Sequence, residues 1–207
     1  MAIRQRNYCP QHSFDRSTAL AGCFRSMPAK VEYLPLFPAG FVPMTMDELR
    51  RVCVKGFPLS RTRRGIMDGL EEIVFDLENA EVTGSLWVDG SFVTHKIDPE
   101  DVDILLCVNA VTYDNGSPAL KAAIDRVEQH QIKTSHHCDS YVLREYPAGH
   151  ALANEADWDR AYWNKQFGFS RDDQYKGIVR LAVQGISERA KAGDPYAQLV
   201  LLARLTI

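Results

Sequence analysis

Apolar and polar residues recur with two different periods along this 207-residue chain. The runs 86–88 and 102–108 are short, apolar and bounded by turn residues, which is typical of buried β-strands, and a third strand is predicted over 136–143. Over about 60–79 and 117–131 the apolar residues instead return every three or four positions, which predicts amphipathic helices. The middle of the chain is therefore expected to alternate helices with strands.

The order of these elements predicts the fold class. Helix, strand, turn, strand, helix, strand is expected to give an α+β fold. The core would cover about residues 60–145 within a single domain over 27–207. Residues 150–207 would form a helical, aromatic-rich C-terminal extension, in which 196–205 favours a helix and 176–181 fits a strand or a helix equally well.

Local signals suggest where the helices begin. Thr45 and Glu48 have the spacing of a capping box, and Ser117 followed by Pro118 is typical of an N-cap and first helical residue. Ser60 and Asn154 are expected to cap two further helices. The basic residues between 50 and 64 have two interpretations, a solvated helix face or a phosphate-contacting patch.

Residues 1–26 are polar, basic and without any hydrophobic period. Such a segment cannot bury an apolar core, so we expect a loose, dispensable tail. Its deletion is expected to leave the melting temperature unchanged.

The chemistry of the chain concentrates at the ends of the first two strands. Gly90 lets the backbone turn sharply and approach a ligand closely, and Ser91 offers a hydroxyl and an N–H to an anion. Asp101 and Asp103 are two residues apart at the start of the second strand, so their side chains share one face. Paired carboxylates of this kind suit Mg²⁺ or Mn²⁺ shared with substrate phosphates. The alternative is that both aspartates cap a turn in solvent.

These residues together resemble a known signature. Gly90-Ser91, nine residues and then Asp101-Val102-Asp103 resembles the pattern of the DNA polymerase β-like nucleotidyltransferase superfamily. The small bacterial minimal nucleotidyltransferases, often antitoxins paired with a toxin gene, are the most similar group. The similarity covers roughly residues 66–145. It implies a nucleotidyltransferase-like core, in which a small twisted mixed sheet is backed by helices, with N- and C-terminal extensions. The Ala-Arg-Gly that usually follows Gly-Ser in that superfamily is replaced here by Phe92-Val93-Thr94.

The resemblance implies a reaction and a set of residues. The reaction would be metal-dependent transfer of a nucleoside monophosphate from an NTP such as ATP to a hydroxyl on an RNA, a protein or a small molecule. Asp101, Asp103 and Asp139, which lies on the predicted third strand, would hold Mg²⁺ or Mn²⁺ and carry catalysis. The nucleotide would contact Gly90 and Ser91, with Lys96 and Lys176 as further phosphate contacts. A partner toxin or a tRNA is also implied.

A second functional class remains open from the same residues. Because the usual arginine is replaced and the C-terminal region is rich in aromatic residues, the chain also fits a non-catalytic binding module that neutralises or regulates a partner protein. Tight co-purification of a partner without any nucleotide transfer would distinguish this class from the enzyme.

Composition indicates the cellular environment of the protein but not the reaction that it would catalyse. The net charge of −3 and pI near 6.1 give no overall electrostatic footprint for nucleic acid. No apolar run approaches the length needed to span a bilayer, and the N-terminus has no signal-peptide core, so a cytoplasmic setting is expected. Five irregularly spaced cysteines fit reduced thiols better than disulfides.

Overall fold

The sheet at the centre of the molecule contains five strands of mixed direction. The computed structural model describes residues 31–205, and these form an α+β fold with helices on both faces of that sheet. The predicted fold class is confirmed. The predicted tail over 1–26 and the domain boundary at residue 27 lie outside the described residues and stay predictions.

The strand order does not follow the chain. The sheet runs β1-β5-β2-β3-β4. The β1–β5 and β3–β4 pairs are parallel, whereas β2 is antiparallel to both β5 and β3. The strand that comes last in sequence therefore lies between the first two. The strands are β1 (Gly40–Pro43), β2 (Gly84–Asp89), β3 (Val102–Asn109), β4 (Cys138–Glu145) and β5 (Gly177–Val183).

The helices connect and cover these strands. They are α1 (Met46–Arg50), which continues into a π-helical segment (Arg51–Lys55), α2 (Arg63–Asn79), α3 (Ala110–Asp114), α4 (Pro118–Glu128), α5 (Lys133–His136), α6 (Ala153–Gly168), α7 (Ile186–Lys191) and α8 (Pro195–Arg204). A short 3₁₀ turn (Ser91–Val93) follows β2. Within residues 31–205, no helix combines the length and the apolar character that crossing a membrane requires.

Two of the four predicted helix starts are confirmed. Thr45 forms the capping box with Glu48, and the Ser117 hydroxyl accepts the Leu120 N–H at the start of α4. α2 begins at Arg63 after Thr62, two residues beyond the predicted cap Ser60, although the Ser60 hydroxyl accepts the Thr62 and Arg63 N–H groups. The prediction for Asn154 was wrong, because α6 begins at Ala153 after Leu152 and has no side-chain cap. Residues 177–181 of the undecided run 176–181 belong to strand β5, where β1 and β2 supply hydrogen-bond partners on both sides.

The two faces of the sheet are covered differently. On one face, α2 and α4 bury a continuous core, which includes Ile66, Leu70 and Ile124. On the other face, α6 packs Trp163 and Phe167 against a smaller cluster of Trp87, Leu105, Cys107, Leu143 and Ile178. Because side chains alternate along a strand, positions 89, 103 and 139 project from the α6 face, two residues beyond this smaller cluster.

Candidate active site

Three aspartates lie side by side at one end of the sheet. Asp89 on β2 is the register partner of Asp103 on β3, and Asp103 is in turn the partner of Asp139 on β4. Register partners point to the same face of a sheet, with neighbouring strands about 4.8 Å apart. We call Asp89, Asp103 and Asp139 the carboxylate row. The sequence predicted that Asp103 and Asp139 would be neighbours; it did not predict Asp89.

Asp103 is the central carboxylate of the row, and other carboxylates repel its charge. Burial is the main factor that raises the pKa of Asp103 to about 6, and repulsion from Asp101 and Asp139 adds to it. Lys176 and Lys133 act in the opposite direction. A carboxylate whose neighbours are carboxylates gains most from a cation, so this position is where a divalent ion would relieve the largest repulsion.

Asp89 is the most buried member of the row. Its side chain is only 4% exposed, and its Oδ2 accepts a hydrogen bond from Lys176 Nζ at 2.5 Å. The other oxygen, Oδ1, is buried without a hydrogen-bond partner. Burial raises the pKa of Asp89 to about 7, and the Lys176 charge partly offsets this. Asp89 and Lys176 are 87 positions apart, so no local pattern signals their pairing.

Asp139 at the other end of the row also has a lysine partner. Lys133 Nζ donates to Asp139 Oδ2 at 2.6 Å, and His130 Nδ1 lies 3.6 Å from Asp139 Oδ1. The Lys133 side chain is half exposed, whereas Asp139 is 18% exposed. The His130 ring also contacts the Tyr141 ring, with 5.2 Å between their centroids. The row therefore ends in a lysine on each side.

Gly90 brings the backbone against the central carboxylate. Its φ is +81° and its ψ is −166°, a conformation open almost only to glycine. A Cβ at this position would lie 2.1 Å from Asp103 Oδ2. Ser91 follows at the start of the 3₁₀ turn, where its carbonyl accepts the Thr94 hydroxyl at 2.8 Å. The predicted role of glycine in a close backbone approach thus has a geometric basis, although the neighbour is Asp103.

A buried arginine holds the loop between β2 and β3. Arg63 at the start of α2 is fully buried, and its guanidinium donates to the carbonyls of five residues: Cys53, Phe92, Thr94, Lys96 and Ile97. Its Cζ lies 3.7 Å from the centroid of the Phe57 ring. Burial lowers the pKa of Arg63. For this residue the interpretation as part of a solvated or phosphate-contacting patch was wrong.

Two other predicted site residues lie on that loop or at its end. Asp101 immediately precedes β3 and is half-buried, and its charge acts on Asp103. Lys96 forms an ion pair with Glu100 at 3.6 Å. In the described contacts Lys96 does not reach the carboxylate row, and its predicted phosphate contact stays a prediction.

The donor set fits a hard divalent cation. All candidate ligands are carboxylate oxygens, and one of them, Asp89 Oδ1, is buried without a partner. Within residues 31–205 no three carboxylate, imidazole or thiol groups are already gathered in metal-binding geometry. Lysines hold Asp89 and Asp139. Asp101, Asp103 and Asp139 stay the predicted residues that would hold Mg²⁺ or Mn²⁺, with Asp89 beside them.

Replacing Gly90 with alanine tests this close approach. Gly90→Ala is expected to cost about 1–3 kcal/mol of stability because of its backbone conformation, and to weaken Mn²⁺ binding because the Asp103 carboxylate must rotate away. Thermal unfolding and Mn²⁺ titration measure the two effects. Gly149→Ala is the control, since Gly149 has φ +84° but no atom within 4 Å of a new Cβ. Equal Mn²⁺ binding by both variants would contradict the role of Gly90.

Comparison with known families adds one firm result. The model of a family described as "Family of unknown function (DUF6932)" matches residues 29–182, well over half of the chain. The chain belongs to this family. The matched segment contains the carboxylate row, Gly90 and Ser91, and the two lysines that contact the row, Lys133 and Lys176. Helices α7 and α8 lie beyond it. No curated protein and no solved structure matches the chain.

Proposed function

We propose that the protein is a metal-dependent nucleotidyltransferase. It would transfer a nucleoside monophosphate from an NTP to a hydroxyl of an RNA, a protein or a small molecule, and release pyrophosphate. A cytoplasmic setting, where NTPs and reduced thiols are found, belongs to the same proposal. So does a role as the antitoxin of a toxin–antitoxin pair.

The observation that carries this proposal is the carboxylate row beside Gly90 and Ser91. Asp103 has Asp89 and Asp139 as its register partners, and the Gly90 backbone lies against its carboxylate. An arrangement of three carboxylates on adjacent strands brings negative charges together at a cost, which is offset when a divalent cation binds. The short 3₁₀ turn that begins at Ser91 follows Gly90 directly, so the Ser91 hydroxyl and N–H would be the groups offered to phosphate oxygens.

The residues supply positioning and proton transfer in this reaction. Ser91 would donate its hydroxyl and N–H to a terminal phosphate, and Asp101 and Asp103 would orient the bound metal–nucleotide. A bound Mg²⁺ supplies charge neutralisation and lowers the pKa of the acceptor hydroxyl. The acceptor oxygen forms its bond to the α-phosphorus as the bond to the bridging oxygen breaks, and pyrophosphate leaves. Asp139 would accept the hydroxyl proton.

The direct test is transfer from labelled nucleotides. The protein is incubated with each labelled NTP, Mg²⁺ and a cell extract, and a labelled RNA, protein or small molecule is the expected result. In the same assay Asp139→Asn is expected to cut transfer by about 10²–10⁴-fold, because the proton acceptor is lost. Its NTP affinity, measured by calorimetry, is expected to change by only a few-fold.

Asp173→Asn is a matched control for Asp139→Asn. Asp173 also binds a lysine, Lys165, but it lies in the loop after α6 and outside the carboxylate row. This variant is expected to retain transfer. Absence of labelling with all four NTPs, or equal transfer by the two variants, would contradict the proposed reaction or the role of Asp139 respectively.

A non-catalytic binding module is the second candidate, and one observation favours it. On α6 the Trp158 side chain is 78% exposed and the Tyr162 side chain 56% exposed, one helical turn apart. Large exposed aromatic side chains are frequent in protein-binding surfaces. A partner that co-purifies with the wild type but not with Trp158→Ser, together with silence in the transfer assay, would favour this candidate over the enzyme.

A further inference from the structure

Two lysines from distant parts of the chain neutralise opposite ends of the carboxylate row. Lys176 immediately precedes β5 and donates to Asp89, while Lys133 starts α5 and donates to Asp139. Asp89 and Asp139 lie on strands separated by one strand, so the row spans about 10 Å. The charges of both lysines also act on Asp103 between them. Within residues 31–205, no lysine forms a hydrogen bond or an ion pair with Asp103 itself.

When every carboxylate is ionised, the aspartates of the site carry more charge than the two lysines that contact them. Asp89, Asp101, Asp103 and Asp139 contribute four negative charges when ionised, and Lys133 and Lys176 contribute two positive charges. The remainder equals the charge of one divalent ion. The buried Asp89 Oδ1, which has no hydrogen-bond partner, shows that the lysine contact leaves this end of the row incompletely satisfied.

We propose that Lys176 and Lys133 are exchangeable counter-ions, which neutralise the carboxylate row in the free protein and move to phosphate oxygens when a metal–polyphosphate binds. This inference rests on the proposed function and extends it to substrate class. The ligand is a polyphosphate chain, because a chain of phosphates satisfies an ammonium group at each end of the row at once. Lysine suits this role because its ammonium is a point charge on a flexible stem.

If the lysines exchange in this way, removing one should change the affinity for the metal ion and the affinity for polyphosphate in opposite directions. A metal ion that binds alone has to compete with the two ammonium groups for carboxylate oxygens, so its affinity is held down. A metal–polyphosphate brings acceptors for the displaced ammonium groups, so metal and polyphosphate strengthen each other's binding. Removal of a lysine is therefore expected to favour the metal alone and to disfavour the polyphosphate. A lysine that only stabilises the fold would not produce this pair of effects.

The experiment measures both ligands in the same variants. Lys176→Met and Lys133→Met are each expected to bind Mn²⁺ alone about threefold to tenfold more tightly, as followed by the loss of the free Mn²⁺ resonance. Each is expected to bind inorganic tripolyphosphate with Mg²⁺ at least about tenfold more weakly, as followed by calorimetry. Lys133 is half exposed, so its variant is expected to fold even if the loss of Lys176 beside buried Asp89 impairs folding.

Lys165→Met is the matched control. Lys165 is 53% exposed against 52% for Lys133, and it also pairs with an aspartate, Asp173, outside the row. Both affinities are expected to stay within about twofold of the wild type for this variant. If the wild type binds both ligands and the Lys133 and Lys176 variants bind each of them with the wild-type affinity, the exchange is wrong while the proposed function stands. If the wild type binds neither ligand, the proposed function and the exchange are both wrong.

Discussion

Asp103→Asn is expected to make the ligand-free protein more stable at pH 7.5 and to abolish metal-dependent nucleotide binding. In the folded state the pKa of Asp103 is raised from 3.8 to about 6, mainly by burial. The ionised carboxylate at neutral pH therefore costs the fold up to about 3 kcal/mol. Asparagine keeps the shape without the charge, so a rise of several degrees in melting temperature is expected. The same change removes the carboxylate that we propose as the central metal ligand.

The stability gained by Asp103→Asn is expected to depend on pH. Because the folded-state pKa is raised, the favourable contribution of Asp103 is complete below its unfolded value of 3.8 and is lost as the pH rises through about 6. The stability difference between Asp103→Asn and wild type is expected to be small at pH 4 and to grow up to about pH 7. Thermal unfolding across this range measures it, with and without Mg²⁺ and NTP.

Asp157→Asn is the control for Asp103→Asn. Asp157 is exposed on α6, and its replacement is expected to leave both the pH profile and the nucleotide-induced stabilisation unchanged. The role of Asp103 would be contradicted if Asp103→Asn were still stabilised by Mg²⁺ and NTP as much as the wild type. A variant less stable than wild type at pH 7.5 would mean that the charge is already compensated.

Arg63→Met is expected to cause the largest loss of stability among single substitutions in the α2 helix, about 3–5 kcal/mol. The guanidinium donates hydrogen bonds to main-chain carbonyls, at 2.6 Å to Phe92 and Thr94 and 2.7 Å to Lys96. The Phe92 contact is buried, and the other two are partly buried. Methionine fills much of the volume but leaves these oxygens unsatisfied. Urea unfolding measures the change.

The neighbouring residue supplies the matched control. Arg64 lies on the same helical turn but is exposed, so Arg64→Met is expected to change the unfolding free energy by no more than about 0.5 kcal/mol. Arg63→Lys is expected to fall between the two, because an ammonium has three donors and cannot reproduce the planar fork. Equal unfolding free energies for the Arg63 and Arg64 variants would show that the loop is held by other contacts.

Sequence patterns predicted the parts of the site that are local in the chain. The two-residue spacing of Asp101 and Asp103, the turn at Gly90 and the strand with Asp139 follow from strand periodicity and turn chemistry. The Thr45 capping box and the Ser117 cap are equally local, and both form. These features depend on residues only a few positions apart, which is the range over which a single sequence carries information.

The parts that escaped prediction depend on pairing between distant segments. Asp89 gained its place in the row only through the register of β2 with β3 and its contact with Lys176. The run 176–181 fitted a strand or a helix by pattern alone, and its residues from 177 onward form a strand because β1 and β2 flank them. Nothing in the sequence indicated that Arg63 is buried and holds the loop, because its partners are main-chain carbonyls, which every residue type has.

The position of β5 has a consequence for how the protein is made on the ribosome. Until β5 (Gly177–Val183) has emerged, β2 has a free edge, β1 has no neighbour in the sheet, and Asp89 has no lysine beside it. A nascent chain that stalls earlier would expose an apolar edge that invites pairing with other chains. Because Lys176 arrives with the strand that closes this gap, nucleotide-binding competence and protection from co-translational aggregation would be acquired at the same moment of synthesis.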